Sequence, residues 1–206
     1  MRPGFIGHAV FSILPSGVVL AAEEKPIPIL PIGAKAPEFD LLAVDGRRYP
    51  LTDFAKARIP SVAFTCNHCP TAHYDEEVLK RVVTGCRSKG VAVAAISRNG
   101  ENPVSPRDAG YTDSSDSVEE MKILATAKEY NLAYLYEGYR TGVARANGPV
   151  ATPHALVFDA EHRLRYVGRI GDSERLQHVK VHDLRNALDA LPAGSEPPVR
   201  QIRVVW

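Results

Sequence analysis

The sequence predicts an α/β domain in which a mixed β-sheet carries helices on both faces. Segments 61–65 and 91–97 are short and mostly apolar, which is typical of strands buried on both faces. Between them, apolar side chains recur every four residues and predict an amphipathic helix over residues 70–86: Tyr74, Val78, Val82 and Cys86. A strand, a helix and a second strand in this order predict a parallel pair with the helix packed on the sheet.

The elements on either side complete the sheet. Segments 39–44 and 47–51 flank Asp45-Gly46, a pair that supplies the positive φ angles of a tight hairpin turn, so an N-terminal β-hairpin is predicted. Ser117 and Glu120 have the spacing of a capping box for a helix that runs to about residue 130. Further strands are predicted at 133–136, 155–159 and 164–170, and a closing helix at 181–191.

Composition restricts the class of protein. The chain has 206 residues, of which 45% are hydrophobic and 24% charged, as in an ordinary globular domain. The net charge of +1 argues against a nucleic-acid partner, because such proteins usually carry a basic patch. We predict a signal peptide at 1–22, a Pro-rich linker at 23–36, one domain at 37–191 and a C-terminal tail at 192–206.

The N-terminal segment is typical of an exported protein. Arg2 precedes an uncharged, mostly apolar run over residues 9–22, which is shorter than the roughly 20 residues of a membrane span. Cleavage is expected after Ala21 or after Ala22, which would leave a periplasmic or secreted protein without a stable membrane anchor. The alternative is a buried N-terminal helix, against which Pro15 and Gly17 argue.

The cysteines indicate the chemistry. Cys66 and Cys69 form a Cys-x-x-Cys pair where the strand at 61–65 passes into the predicted helix, and three cysteines are too few for a disulfide-stapled scaffold. The N–H groups and positive end of a helix stabilise a thiolate, so we expect a lowered pKa at Cys66, with Cys66 as nucleophile and Cys69 as resolving thiol. Pro70 lacks an N–H and predicts a late or irregular helix start.

The residues around the pair suggest tuning rather than metal binding. Asn67 and His68 lie between the cysteines, and His68 is expected to add positive charge or a hydrogen bond to the Cys66 thiolate and so adjust the reduction potential. Cys66, Cys69 and His73 have spacing that could seat zinc, but no second Cys-x-x-Cys or His pair completes a site, so neither a metal nor a cofactor is predicted. Cys86 is predicted to be a buried structural thiol.

Three motifs carry a family resemblance: P-E-F-D-L with D-G at 37–46, F-T-C-N-H-C-P at 64–70 and A-T-P-H-A-L-V-F-D at 151–159. With them the chain resembles the thioredoxin-like superfamily, in particular redoxins related to alkyl hydroperoxide reductase and thiol-specific antioxidant (AhpC/TSA) proteins. The resemblance spans roughly residues 33 to 191. It implies a thioredoxin-like fold in which Pro153 is cis and faces the cysteines, while Thr152 offers backbone atoms to the substrate.

The predicted function is an exported thiol:disulfide oxidoreductase that acts on protein or small thiol substrates and is recycled by a redox partner protein. The first alternative is a thiol peroxidase. Peroxiredoxins have Thr or Ser three residues before the reactive cysteine and Pro four residues further upstream. Counted back from Cys69, these places hold Cys66 and Val62, so the sequence does not fit the peroxiredoxin pattern. The second alternative is a non-catalytic binding module that presents the polar, non-periodic segment 98–117 to a partner.

Overall fold

The computed structural model of the chain describes residues 28–98, 116–138, 142–149, 151–173 and 175–204. The predicted signal peptide at 1–22 and nearly all of the polar segment 98–117 lie outside these residues. Within the described part, no helix is both long and apolar enough to cross a membrane.

The described strands form one mixed sheet in the order β2-β1-β5-β4-β3-β6-β7. β3, β4 and β5 are parallel, and the remaining neighbours pair antiparallel. The strands are β1 (Asp40–Ala43), β2 (Arg48–Pro50), β3 (Ile59–Thr65), β4 (Val91–Ser97), β5 (Ala133–Tyr136), β6 (His154–Phe158) and β7 (Leu164–Gly168). The predicted mixed sheet and its N-terminal hairpin are confirmed, with Gly46 at φ +82° in the hairpin turn.

Five described α-helices accompany the sheet: α1 (Leu51–Ala55), α2 (Pro70–Cys86), α3 (Val118–Ala127), α4 (Gly142–Asn147) and α5 (Asp183–Ala190). α2 has the predicted bounds, and the Ser117 side chain caps α3 by accepting from Glu120 N at 3.3 Å. α3 ends earlier than predicted. α1 and α4 are not predicted by the sequence, because helices of five and six residues are too short to show a periodic pattern.

The core lies on both faces of the sheet because consecutive strand residues point to opposite sides. On one face Phe64, Ile96 and Leu156 pack with α1 and α4. On the other, Ala63 and Ala155 pack against α2 and α5, and α3 packs beside them. All residues of β3 are buried, so the strand that leads to Cys66 is held on both sides.

The segments on either side of the domain lie along the outer edge of β7. Part of the predicted extended linker at 23–36 pairs with the start of β7. Gly33 N donates to Leu164 O, and Leu164 N donates to Ala34 O. The tail pairs further along, where Val167 N donates to Arg200 O. The described part of the tail therefore adds a short edge to the sheet.

Candidate active site

The two cysteines lie at the carboxyl end of the central strand β3. Cys66 directly follows β3, and Cys69 is the N-cap residue of α2, whose first residue is Pro70. A proline is tolerated at this first position because its missing N–H would have no partner inside the helix. The predicted late helix start is confirmed, and it moves the positive end of the helix from Cys66 to Cys69.

The two sulfurs contact each other and the residue before a cis proline. Both thiols are free, and each shifts the pKa of the other. Cys66 Sγ lies 3.1 Å from Thr152 Oγ1, and Cys69 Sγ lies 3.5 Å from the Thr152 carbonyl oxygen. The Thr152-Pro153 peptide bond is cis, as the family resemblance implies. The structure thus brings together four of the predicted site residues.

The environments of the two sulfurs differ. The hydrogen bond from Cys66 and the backbone N–H groups of Ala72 and Thr71 lower the pKa of Cys69 to about 5. The hydrogen bond to Cys69, together with burial, raises the pKa of Cys66 well above its ordinary value. Cys66 is only 3% exposed, whereas Cys69 is partly exposed. The expectation of a lowered pKa at Cys66 is therefore wrong, because the neighbouring Cys69 and burial both disfavour the Cys66 thiolate.

Asp116 holds the two residues between the cysteines. Its carboxylate accepts from Asn67 N at 2.5 Å, and its other oxygen lies 2.5 Å from His68 Nδ1. The Asn67 side chain is fully buried and accepts from Tyr134 OH at 2.7 Å. The predicted tuning residues thus meet a buried acid and a core tyrosine. Asp116 is not among the predicted site residues, because in the sequence it resembles an ordinary polar residue ahead of the helix cap at Ser117.

A second ionic group supports the same loop from inside α2. His73 Nδ1 lies 2.8 Å from Glu76 Oε1, and Lys128 Nζ lies 3.5 Å from Glu76 Oε2. The Glu76 hydrogen bond raises the pKa of His73, and the ring also bonds the backbone of Asn67. His73 is therefore engaged with Glu76 and with the cysteine loop. In the described part of the chain, no group of three or more His, Cys, Asp or Glu residues could hold a metal ion.

His154 adds no positive charge to the site. It follows the cis proline as the first residue of β6 and lies opposite Phe64 in the antiparallel register. Burial lowers the pKa of His154 to about 4, so the imidazole is neutral near neutral pH.

Comparison with solved structures places the chain among known proteins. An uncharacterized conserved protein from Geobacillus kaustophilus is 33% identical, with a TM-score of 0.71, over 83% of this chain and 87% of that chain. The chain belongs to the same family as this Geobacillus protein. A hypothetical protein from Sinorhizobium meliloti 1021 is similar too, with 28% identity, a TM-score of 0.73 and coverage of 85% of this chain and 91% of that chain.

More distant structures identify the fold of this family. The thioredoxin domain of a thiol-disulfide oxidoreductase from Bacteroides vulgatus is 17% identical, with a TM-score of 0.52 over 66% of this chain and 86% of that chain. The fold is therefore thioredoxin-like, as the resemblance implies, while the closer relation to AhpC/TSA proteins stays a prediction. No protein-family model and no curated protein matches the chain.

Proposed function

We propose that the chain is a thiol:disulfide oxidoreductase in which Cys66 and Cys69 alternate between a dithiol and a disulfide. One observation carries this proposal: two free thiols at the start of α2, each in hydrogen-bond contact with Thr152, on a thioredoxin-like fold. The thiolate is the attacking species in thiol–disulfide exchange, and its partner thiol must lie close enough to release the mixed disulfide. The Cys66–Cys69 arrangement supplies both requirements without a bound cofactor.

The arrangement also suggests how a substrate is held. We propose that the backbone of Thr152 and the face of Pro153 receive the chain that carries the substrate disulfide. Thr152 contacts both sulfurs, so a chain laid against it would place its own sulfur next to the reacting pair. A Pro153→Ala variant is expected to raise KM for a protein disulfide more than KM for a small disulfide such as oxidised glutathione.

The experiment that tests the function is a redox titration of the purified protein in glutathione buffers, with thiol alkylation to count the oxidised molecules. A disulfide between Cys66 and Cys69 is expected, with a potential in the range of roughly −270 to −120 mV that related dithiols cover. Cys86 is 1% exposed in the core, so Cys86→Ser is the matched control and should leave the titration unchanged. Failure of the pair to form a disulfide would reject the proposal.

The thiol peroxidase is a second candidate that one observation favours. Cys69 is a partly exposed cysteine with a pKa of about 5, and a stabilised thiolate is the nucleophile that attacks the peroxide oxygen of a hydroperoxide. In that reaction Cys69 would become a sulfenic acid and the hydroperoxide an alcohol or water. Cys66 would then form the disulfide and release water. Stopped-flow mixing of the reduced protein with hydrogen peroxide separates the two candidates, since only a peroxidase turns over rapidly.

We further propose that the protein is exported and is recycled by a redox partner protein outside the cytoplasm. The support is the sequence of residues 1–22, with its short apolar run and its small residues before Glu23. Sequencing of the mature N-terminus after cell fractionation tests export. The remaining hypothesis, a non-catalytic binding module, requires that a Cys66→Ser variant keep full biological activity.

A further inference from the structure

An open cleft lies between α2 and α5, on the face of the sheet against which both helices pack. It has a volume of about 220 Å³, and six residues line it: Val78, Arg81 and Val82 from α2, Ile170 after β7, and His182 and Arg185 at the start of α5. The three aliphatic side chains are buried, whereas Arg81 and His182 are exposed. The cleft therefore has an apolar floor and a basic rim.

The cleft lies near the sheet edge that carries the cysteines. Ala155 pairs with both Ala63 and Gly168, so the start of β6 and the end of β7 lie at the edge where β3 ends. The loop that follows β7 and leads to α5 therefore begins beside the start of α2. Val78 is nine residues beyond Cys69 on α2, which at 1.5 Å per residue is about 13 Å. An extended chain covers that distance with about four residues.

The basic rim carries charge that the neighbouring acids do not pair. These acids have basic partners of their own: Glu77 with Lys80, Asp183 with Arg169, and Asp189 with both Arg185 and Lys89. Asp172, in the loop before α5, accepts from the backbone N–H of Lys180. Among the described residues, no ion pair within 4.0 Å involves Arg81 or His182. The rim is therefore complementary to a negatively charged partner.

Exposed apolar side chains continue the surface of the cleft on both sides. Tyr74, one turn before Val78 on α2, is 51% exposed, and Val181, next to His182, is 42% exposed. They are two of the four large apolar side chains that the described residues expose. Aromatic and arginine side chains around an apolar surface are typical of protein interfaces. The cleft is also smaller than the roughly 300–1,000 Å³ of small-molecule sites, so it suits one or two side chains of a protein.

We propose that this cleft binds an acidic, apolar segment of the protein whose disulfide reaches the cysteine pair. The inference rests on the proposed oxidoreductase function and adds a partner specificity to it. A large apolar side chain of the segment packs on Val78 and Val82, and a neighbouring carboxylate pairs with Arg81 and His182. The segment lies about four residues along the partner chain from its disulfide cysteine, because that length spans the distance from the cysteine pair to the cleft.

The first measurement is fluorescence anisotropy of short labelled peptides with the full-length protein. Serine replaces the peptide cysteine, so binding is measured without a redox step. A Phe-Asp pair stands four residues before the serine in one peptide and four residues after it in another, and Phe-Lys replaces it in the control peptides. Arg81→Glu and His182→Asp reverse the charge on opposite walls of the cleft. His182 is the N-cap of α5, a position that favours Asp, and Lys122→Glu on the exposed side of α3 is the matched control.

The parent protein and Lys122→Glu should bind a Phe-Asp peptide with the same Kd within about twofold. Both cleft variants should raise that Kd about 5- to 10-fold, because a carboxylate then meets a like charge. Absence of binding, equal affinity in the parent and both cleft variants, or equal affinity for Phe-Lys would refute the inference. A dimer of the protein that Arg81→Glu dissociates would also overturn it, since a second copy would then fill the cleft.

The second measurement separates the cleft from the redox function. Reduction of hydroxyethyl disulfide, which is small and uncharged, should have the same rate in the parent, Arg81→Glu and His182→Asp, with dithiothreitol as the electron source. For the Phe-Asp peptide with its cysteine restored and joined to glutathione, both variants should raise KM about 5- to 10-fold and leave kcat unchanged. An unchanged KM in an active enzyme would refute docking in the cleft. If the parent reduces neither substrate, the proposed function fails, and the anisotropy result decides separately whether the cleft binds the segment.

Discussion

Replacement of Asp116 by Asn tests whether this carboxylate holds the loop that carries the two cysteines. The Asp116 side chain is 2% exposed, and its two oxygens contact Asn67 N and His68 Nδ1 at 2.5 Å each. Asp116→Asn keeps an acceptor for Asn67 N but removes the charge and turns an amide group toward His68. The loop is then expected to be held less firmly.

The size of the effect follows from the two bonds. Hydrogen bonds to a charged group contribute about 1.5–3 kcal/mol, and neutral ones about 0.5–1.5 kcal/mol. With two bonds weakened, we expect the reduced protein to lose about 2–3 kcal/mol of unfolding free energy. In a domain of this size that loss corresponds to a fall in Tm of about 4–12 °C.

Urea unfolding of the reduced protein, followed by circular dichroism, measures this loss. Glu161→Gln is the matched control, because Glu161 is an exposed acid in the β6–β7 turn and its loss should change the unfolding free energy by less than about 0.5 kcal/mol. If Asp116→Asn behaves like this control, with an unchanged m-value, then Asp116 does not hold the cysteine loop.

Three further predictions concern the site and its supports. Tyr134→Phe removes the donor to the buried Asn67 Oδ1 and should cost about 1–3 kcal/mol in urea unfolding, whereas a loss below about 0.5 kcal/mol would contradict the bond. Gly148 has φ +65°, and in Gly148→Ala the added Cβ would overlap the Pro28 carbonyl oxygen. Limited proteolysis should therefore cleave the chain near Pro28 and Ile29 faster than in the parent protein. Equal cleavage would contradict the docking of these residues on Gly148. Above the Cys69 pKa of about 5, the reduced pair holds one proton, so the reduction potential should change by about 30 mV per pH unit. Below that pKa the reduced pair holds two protons, and the change should be about 59 mV per pH unit. A slope of about 59 mV per unit up to pH 8 would show that Cys69 is not a thiolate.

The sequence predicted the elements in which the spacing of apolar residues shows which side chains are buried. The apolar runs at 61–65 and 91–97 became central strands, and the four-residue period over 70–86 became α2 because one face of that helix packs on the sheet. The paired cysteines and the residues Thr152 and Pro153 were predicted from motifs, and the structure brings their atoms together.

The charged contacts around the two cysteines could not be predicted in the same way. Asp116 lies far along the chain from Asn67, and only the packing of α3 beside the sheet brings its carboxylate to the loop. The start of α2 at Pro70 makes Cys69, and not Cys66, the N-cap residue of the helix. Helix boundaries depend on local hydrogen bonds that a periodic pattern does not resolve.

The pairing of both flanking segments with β7 also restricts how this protein can associate. An uncovered edge strand offers a row of N–H and C=O groups to any other chain and is a common starting point of aggregation. The N–H groups of Leu164 and Val167 on this edge already donate within the chain. The opposite edge, β2, is three residues long and ends in Pro50. Loss of either flanking segment would therefore be expected to promote self-association through β7.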